Sequence, residues 1–306
     1  MSESNMTALP DTERHWLIAT LPEPLRPYAL LARFDRPIGW WLLFWPCVWG
    51  VALAGEATAR WDLLLWFLLG AIATRGAGCV YNDIVDRDLD RKVERTRSRP
   101  LASGRVGLKG AWIWLFLLAL IGLVVLLQLR TEAQIVALAS IVLVAAYPFM
   151  KRITWWPQAW LGLVFSWGAP VGWVAVTGDW QAPAMLWLYA GSVFWVIGYD
   201  TIYALQDIED DALAGVKSSA RRLGGVARGG VGLFYVLALA CWAMALWTIR
   251  PESLGLAALL PMALHLLWQI ATLRTESGED ALAKFRSNRD AGLLLALGLF
   301  VVGATA

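Results

Sequence analysis

Two short windows hold nine of the 24 acidic residues in this chain. The first reads Asn82-Asp83-Ile84-Val85-Asp86-Arg87-Asp88-Leu89-Asp90, and the second holds Asp200 and then Asp207-Ile208-Glu209-Asp210-Asp211. On a helix, residues four apart share a face, and like charges at that spacing destabilise unless a cation stands among them. Arg75, Asn82, Asp86 and Asp90 follow at steps of seven, four and four; Asp200, Tyr203, Asp207 and Asp211 follow at three, four and four. If each helix runs on past the membrane edge, each set is one stripe. All-oxygen ligand sets of this kind suit hard divalent cations. Basic residues accompany the acids, Arg75 among them. Carboxylates, a divalent metal and Arg or Lys together form the usual means of holding a diphosphate.

The two windows are copies. An offset of 121 residues carries Asp86 to Asp207, Asp90 to Asp211, Ser98 to Ser219 and Gly104 to Gly225. A parallel internal repeat brings equivalent helix ends around an axis along the membrane normal, so both stripes are expected to face one central cavity.

These stripes need elements to hold them, and the composition says which. Of 306 residues, 58% are hydrophobic and 16% charged, with a mean hydropathy of +0.55; soluble domains carry ~25% charged residues. Too little polar side chain is present to cover a water-facing surface. Disordered chains, disulfide-rich secreted domains and most soluble enzymes are excluded, and an all-α polytopic membrane protein is implied. The 20 tryptophans suit the headgroup level of a bilayer. Cys47, Cys79 and Cys241 sit in apolar stretches with no pairing by spacing. A net charge of +2 gives no pull toward nucleic acid.

Nine apolar segments are predicted to cross the bilayer as helices, at 38–54, 62–82, 111–129, 133–149, 158–176, 184–206, 229–248, 253–273 and 290–305. The runs are continuous rather than alternating, which disfavours strands. Twenty-two lysines and arginines fall on one side of this arrangement; Arg60, Arg130 and Arg250 fall on the other, and Arg75 lies inside the second span. The positive-inside rule then puts the N-terminus and the basic loops in the cytoplasm. A charge inside a span marks a functional candidate. Residues 1–32 are expected as an N-terminal tail, with 16–32 a candidate interfacial segment, and 33–306 as the nine-helix domain.

The aspartate windows at helix ends resemble the two aspartate-rich motifs of the UbiA superfamily of intramembrane prenyltransferases. The likeness runs through Arg33-Phe34-Asp35-Arg36-Pro37-Ile38-Gly39, Gly76-Ala77-Gly78-Cys79, Ser98-Arg99-Pro100-Leu101-Ala102-Ser103-Gly104, Tyr147-Pro148-Phe149-Met150-Lys151-Arg152, Tyr199-Asp200-Thr201-Ile202-Tyr203-Ala204 and Gly215-Val216-Lys217-Ser218-Ser219. It covers about 30–300, with no departure from the motifs. The aspartate motifs alone indicate the superfamily; the Arg-Phe-Asp-Arg-Pro-Ile-Gly, Tyr-Pro-Phe-Met-Lys-Arg and Tyr-Asp-Thr segments resemble the 4-hydroxybenzoate branch of ubiquinone biosynthesis.

The resemblance implies a bundle of nine transmembrane helices in a bacterial inner membrane, with its site facing the cytoplasm and open to lipid. It implies Mg2+ as cofactor, a polyprenyl diphosphate as donor and a small aromatic acid as acceptor. Asn82, Asp86, Asp90, Asp207 and Asp211 are then the Mg2+ ligands, with Asp83 as a further candidate. Arg75, Lys151, Arg152 and Lys217 are expected on the diphosphate or the substrate carboxylate, and Arg33 and Arg36 on the aromatic carboxylate. Tyr147, Tyr199, Tyr203, Trp195 and Phe194 are candidates to face an allylic cation. Asp200 is the candidate base for the ring proton, with Arg152 also placed at the chemistry. A donor tail left in lipid avoids a transfer cost of ~0.8 kcal/mol per CH2. Other acceptors of the superfamily (homogentisate, naphthoate, chlorophyllide or haem) remain open, as does a cation carrier, whose site would lie nearer the bilayer midplane.

Overall fold

The computed structural model describes residues 16–92, 96–208, 212, 215 and 217–305. The chain is all-helical among the described residues, as its continuous apolar runs require. Among the described residues, six helical stretches are long and apolar enough to cross a membrane: Trp61–Asp90, Leu108–Leu126, Thr131–Ile153, Pro157–Thr177, Ser219–Ile249 and Ser253–Thr272. Ile38–Leu53 is apolar but shorter, at 16 residues. Pro183–Ala204 and Asn288–Gly303 are also helical. Only 17% of the apolar stretch of Leu108–Leu126 and 11% of that of Thr131–Ile153 is buried. Side chains such as Phe116, Leu120, Ile141 and Val142 point outward, which is the arrangement a hydrocarbon solvent favours.

The sequence reading meets the structure unevenly at the element level. The expected segment 158–176 forms two helices, Pro157–Ser166 and Gly168–Thr177. The segment 253–273 begins with a turn of α-helix and a 3-10 turn before Leu260–Thr272. Residues 16–32, interrupted by Pro22, Pro24 and Pro27, form only short helical pieces, Trp16–Thr20 and Arg26–Leu31, with a 3-10 turn between. An additional helix, Gly278–Arg286, lies between the eighth and ninth segments, where Ser277 caps the Asp280 amide.

Two compact units make up the chain. One joins the N-terminal residues up to Trp40 with Leu69–Val124; the other joins Trp41–Leu68 with Val125–Ala306. The core of the first unit is Leu31, Ala32, Val80, Leu101, Val106, Ala111 and Leu118. Leu101 and Val106 pin the basic loop after Asp90 into this core, and Gly104, at φ 81°, makes the turn between them.

In the second unit, Pro183–Ala204 lies against Ala227–Ile249. A Cβ on Gly191 would come within 2.6 Å of the Trp242 ring, and one on Gly198 within 2.4 Å of Tyr235. Glycine at these two positions lets large rings sit directly on the helix backbone. Trp49, Trp195 and Trp242 form an aromatic core there, with centroids 5.0–6.4 Å apart.

Candidate functional site

The first acidic stripe lies on one unbroken helix. Trp61–Asp90 runs for 30 residues and carries Arg75, Asn82, Asp86 and Asp90 in helical register, as the spacing predicts. Asp83, Asp86 and Asp90 are 2%, 1% and 5% exposed, and Asn82 is half-buried. Buried carboxylates require partners, and arginines from two neighbouring segments supply those of Asp83 and Asp90.

Arg33 Nη2 stands 2.9 Å from both oxygens of Asp83. Its Nη1 donates to the carbonyls of Leu30 and Leu31. Burial alone would favour a neutral Arg33, but Asp83, with Cys79 and Asp35 behind it, holds the guanidinium firmly charged. Arg99, from the basic loop, places Nη1 2.9 and 3.1 Å from the Asp90 oxygens and 3.4 Å from Asp83 Oδ1. The same loop is tied down where Thr96 donates to the Asp90 carbonyl and Arg91 to the Ala102 carbonyl. The first aspartate motif is thus clasped from two sides.

Arg75 is half-buried, and its Nη1 lies 2.8 Å from Cys79 Sγ, one turn along. Gly39 makes room for it: a Cβ there would fall 2.6 Å from Arg75 Nε. The Arg33–Gly39 segment therefore serves the motif helix twice, through Arg33 on Asp83 and Gly39 beside Arg75. Arg36 pairs with Asp35, which is 2% exposed. Burial raises the Asp35 carboxyl above its ordinary value, against the opposing charges of Arg36 and Arg33.

The second stripe is built differently. Pro183–Ala204 carries half-buried Asp200 and Tyr203, and then tightens into a 3-10 turn over Leu205–Asp207. Three residues per turn instead of 3.6 rotates Asp207 off the face that continuous α-helix would give it. Asp211 lies outside the described residues. Tyr203 packs 4.5 Å from the Phe285 ring. Trp195 is fully buried, its Nε1 donates to Asn288 Oδ1, and Tyr199 stands edge-on against it at 4.7 Å. These two rings belong to the core, whereas Phe194 is half-buried.

Three expected basic residues come together in the second unit. The Thr131–Ile153 helix ends on Lys151 and Arg152, with Tyr147 half-buried one turn earlier. The Lys217 amide donates to the Lys151 carbonyl, and Lys217 Nζ donates to that of Ile153. Ser219 fixes this strap, bonding Thr201 through its hydroxyl and Gln158 through its amide.

Among the described residues, no three Asp, Glu, His or Cys side chains converge into a metal cage. Asp83 and Asp90 are turned onto arginines. The donor chemistry still fits a hard cation, since Asn82, Asp86 and Asp90 offer only oxygen from one helix face. The spacing did not single out Arg99. It lies in a loop, beyond any helical period, and the signal that pointed at it was the Ser98–Gly104 segment.

Residues 43–300 match the UbiA prenyltransferase family. The chain is 42% identical over 302 residues to the mitochondrial 4-hydroxybenzoate polyprenyltransferase of Drosophila pseudoobscura pseudoobscura, covering 98% of this chain and 76% of the relative. It is 42% identical over 289 residues to the enzyme of the same name from Arabidopsis thaliana, covering 94% and 71%. Among solved structures, a UbiA homologue from Aeropyrum pernix K1 in its apo form superposes with a TM-score of 0.67 at 25% identity, over 85% of this chain and 97% of that one. A UbiA homologue from Archaeoglobus fulgidus bound to GPP and Mg2+ gives 0.65 at 18%, over 91% and 99%. The relatives' names correct the expectation of a bacterial inner membrane with a cytoplasmic site, because they point to mitochondria. The physical reason is plain. Apolar spans specify a bilayer and basic loops specify a side of it; neither specifies which membrane.

Proposed function

Because the chain belongs to the UbiA prenyltransferase family, we propose that it transfers a polyprenyl group from polyprenyl diphosphate to the ring carbon ortho to the hydroxyl of 4-hydroxybenzoate, releasing diphosphate, in ubiquinone biosynthesis. The observation that carries this is the 42% identity, along nearly the whole chain, to enzymes named for that reaction.

Arg75, Lys151, Arg152 and Lys217 neutralise the diphosphate, so that the allylic C–O bond ionises toward a stabilised leaving group. Asn82, Asp86 and Asp90 of the first motif and Asp207 and Asp211 of the second would hold Mg2+. When bound, the metal supplies Lewis acidity to the departing diphosphate. Asp83, clasped by Arg33, positions the motif helix. Arg36 attracts the aromatic carboxylate. Tyr147 and Tyr203 present ring faces to the allylic cation. The electron-rich ortho carbon attacks that cation, and Asp200 accepts the displaced ring proton.

The domain is 33–306, with 16–32 as an interfacial segment before it. It crosses the bilayer nine times, the six long apolar stretches being joined by Ile38–Leu53, Pro183–Ala204 and Asn288–Gly303. The offset of 121 residues is the trace of a parallel repeat whose copies now differ locally, one α-helical to Asp90 and the other 3-10 at Asp207.

Membranes from cells expressing the chain, supplied with Mg2+, labelled prenyl diphosphate and a panel of aromatic acceptors, test the proposal. Labelled product from 4-hydroxybenzoate, abolished by EDTA and by Asp86→Ala or Asp207→Ala, is expected. Transfer only to another acceptor overturns the acceptor, and full activity in those variants overturns the metal assignment.

A further inference from the structure

The positive-inside rule puts three arginines on the membrane face opposite the basic loops: Arg60, Arg130 and Arg250. Each is paired with an acid two residues later, at 3.1 Å to Asp62, 2.9 Å to Glu132 and 3.1 Å to Glu252. Exposed pairs of this kind add little stability. Two of the three converge. Arg60 and Arg130 line one open, polar cleft of about 530 Å3 with Leu63, Gln128, Thr131 and Glu132. Arg250 does not line it.

The cavity belongs wholly to the second unit. The Thr131–Ile153 helix starts at the cavity and ends at Lys151 and Arg152. At 1.5 Å per residue those ends are about 34 Å apart, so this is not where those residues meet a diphosphate. It lies where Trp61–Asp90 and Thr131–Ile153 begin and where Leu108–Leu126 and Gly168–Thr177 end, and the ends of membrane-spanning helices are the level of lipid headgroups.

Its donors are only partly used by the protein. Arg60 bonds Asp62 through Nε and Nη2. Arg130 bonds Glu132 through Nε and the Val176 carbonyl through Nη1. Arg60 Nη1 and Arg130 Nη2 meet no protein acceptor among the described residues. Gly178, at φ 77°, gives the Arg130 guanidinium its place: a Cβ there would stand 2.7 Å from Cζ. The two remaining Nη groups, one from each arginine, can each donate to one phosphate oxygen. Glu132 and Asp62 bring the local charge close to zero, which disfavours a free dianion. The same pattern suits a singly charged phosphodiester that carries its own ammonium.

We propose that this cavity is a phospholipid headgroup site, where Arg60 and Arg130 hold the phosphodiester and Glu132 faces the ammonium of a zwitterionic headgroup. The assignment is independent of the acceptor and of the metal ligands.

The test uses the purified full chain in detergent, titrated with phosphatidylethanolamine, phosphatidylglycerol or inorganic phosphate, and read by native mass spectrometry and thermal unfolding. Phosphatidylethanolamine is expected to bind and raise the unfolding midpoint. Arg60→Gln with Arg130→Gln should weaken that binding at least about tenfold, the size of one charged hydrogen bond. Arg250→Gln should leave it unchanged, and Glu132→Gln should shift preference toward phosphatidylglycerol. Prenyl transfer by the double variant serves as its folding control. If the double variant unfolds, Arg130→Lys replaces it, keeping the charge but not the fork, with the same weakening expected. Equal lipid retention in the variants, equal loss in Arg250→Gln, or a response to inorganic phosphate matching that to lipid overturns the proposal.

Discussion

Arg33 Nη2 lies 2.9 Å from both carboxylate oxygens of Asp83, and Arg33 reaches there from a backbone φ of 58°. It is the one described non-glycine residue with positive φ. A bulky residue in that region is strained by about 1–3 kcal/mol. The buried ion pair, together with the two carbonyls that Arg33 also binds, keeps it there. The same pair joins the turn before Ile38–Leu53 to the first aspartate motif.

Breaking this pair leaves a buried charge without its partner. Asp83→Ala is expected to cost about 3–5 kcal/mol, read as a lower unfolding midpoint in detergent. Asp88→Ala, five residues on, removes a carboxylate that is 88% exposed and 3.7 Å from Arg91; it should change stability by less than about 0.5 kcal/mol. Similar losses from the two variants would show that Arg33 does not hold Asp83.

Gly39→Ala tests the placement of Arg75. The new methyl meets only the end of a flexible side chain, so the fold should survive with nearly the wild-type midpoint. The guanidinium must move, and prenyl transfer should fall at least about tenfold, as small misplacements of a charge-stabilising group do. Unchanged transfer would remove Arg75 from the diphosphate site.

Gly172→Ala should behave in the opposite way. A Cβ there falls 2.1 Å from the Cys47 carbonyl, a backbone atom that cannot step aside. The close approach of Gly168–Thr177 to Ile38–Leu53 follows the small-residue packing of membrane helices. A loss of at least about 1–3 kcal/mol is expected. Gly229→Ala, with nothing within 4 Å, should be neutral or stabilising by up to about 1 kcal/mol. Thermal unfolding of the two variants side by side decides this.

Asp35 has a sign that can be worked out. Its Oδ1 is buried with no hydrogen-bond partner, and burial raises its carboxyl in the folded protein. The folded state therefore binds this proton more readily than the unfolded chain does. The stability it contributes is complete below the unfolded carboxylate value and is lost as pH rises through the folded one. Asp35→Asn, which mimics the protonated form, should be the more stable protein near neutral pH, with the difference closing in acid. Unfolding midpoints against pH check it, and a difference that widens in acid would reverse the sign.

Much of the architecture was legible in the chain. The continuous helix through Arg75, Asn82, Asp86 and Asp90 followed from an apolar run passing into a four-residue acidic spacing, because one helix dictates both patterns. The membrane class followed from the scarcity of charge. Gly278–Arg286 leaves no apolar run in the sequence, because Glu279, Asp280, Lys284 and Arg286 interrupt it, although Ser277 and Asp280 carry a capping signal. The 3-10 turn at Asp207 left no mark in the sequence, since the three- and four-residue steps from Asp200 to Asp211 are the same whichever hydrogen-bond pattern the backbone adopts there.

By itself, then, the sequence determined the membrane class, most of the long apolar helices and the helical register of the first acidic stripe, since these depend on composition and local periodicity. Tertiary structure decided which charges meet. Arg33 and Asp83 are 50 residues apart, and Arg99 reaches Asp90 through a loop. It also decided that Trp195, a candidate for the cation wall, is a core residue whose N–H goes to Asn288, 93 residues away. Burial and pairing depend on packing between distant segments, which no local spacing records, and that packing settles whether a carboxylate is offered to a ligand or held by an arginine.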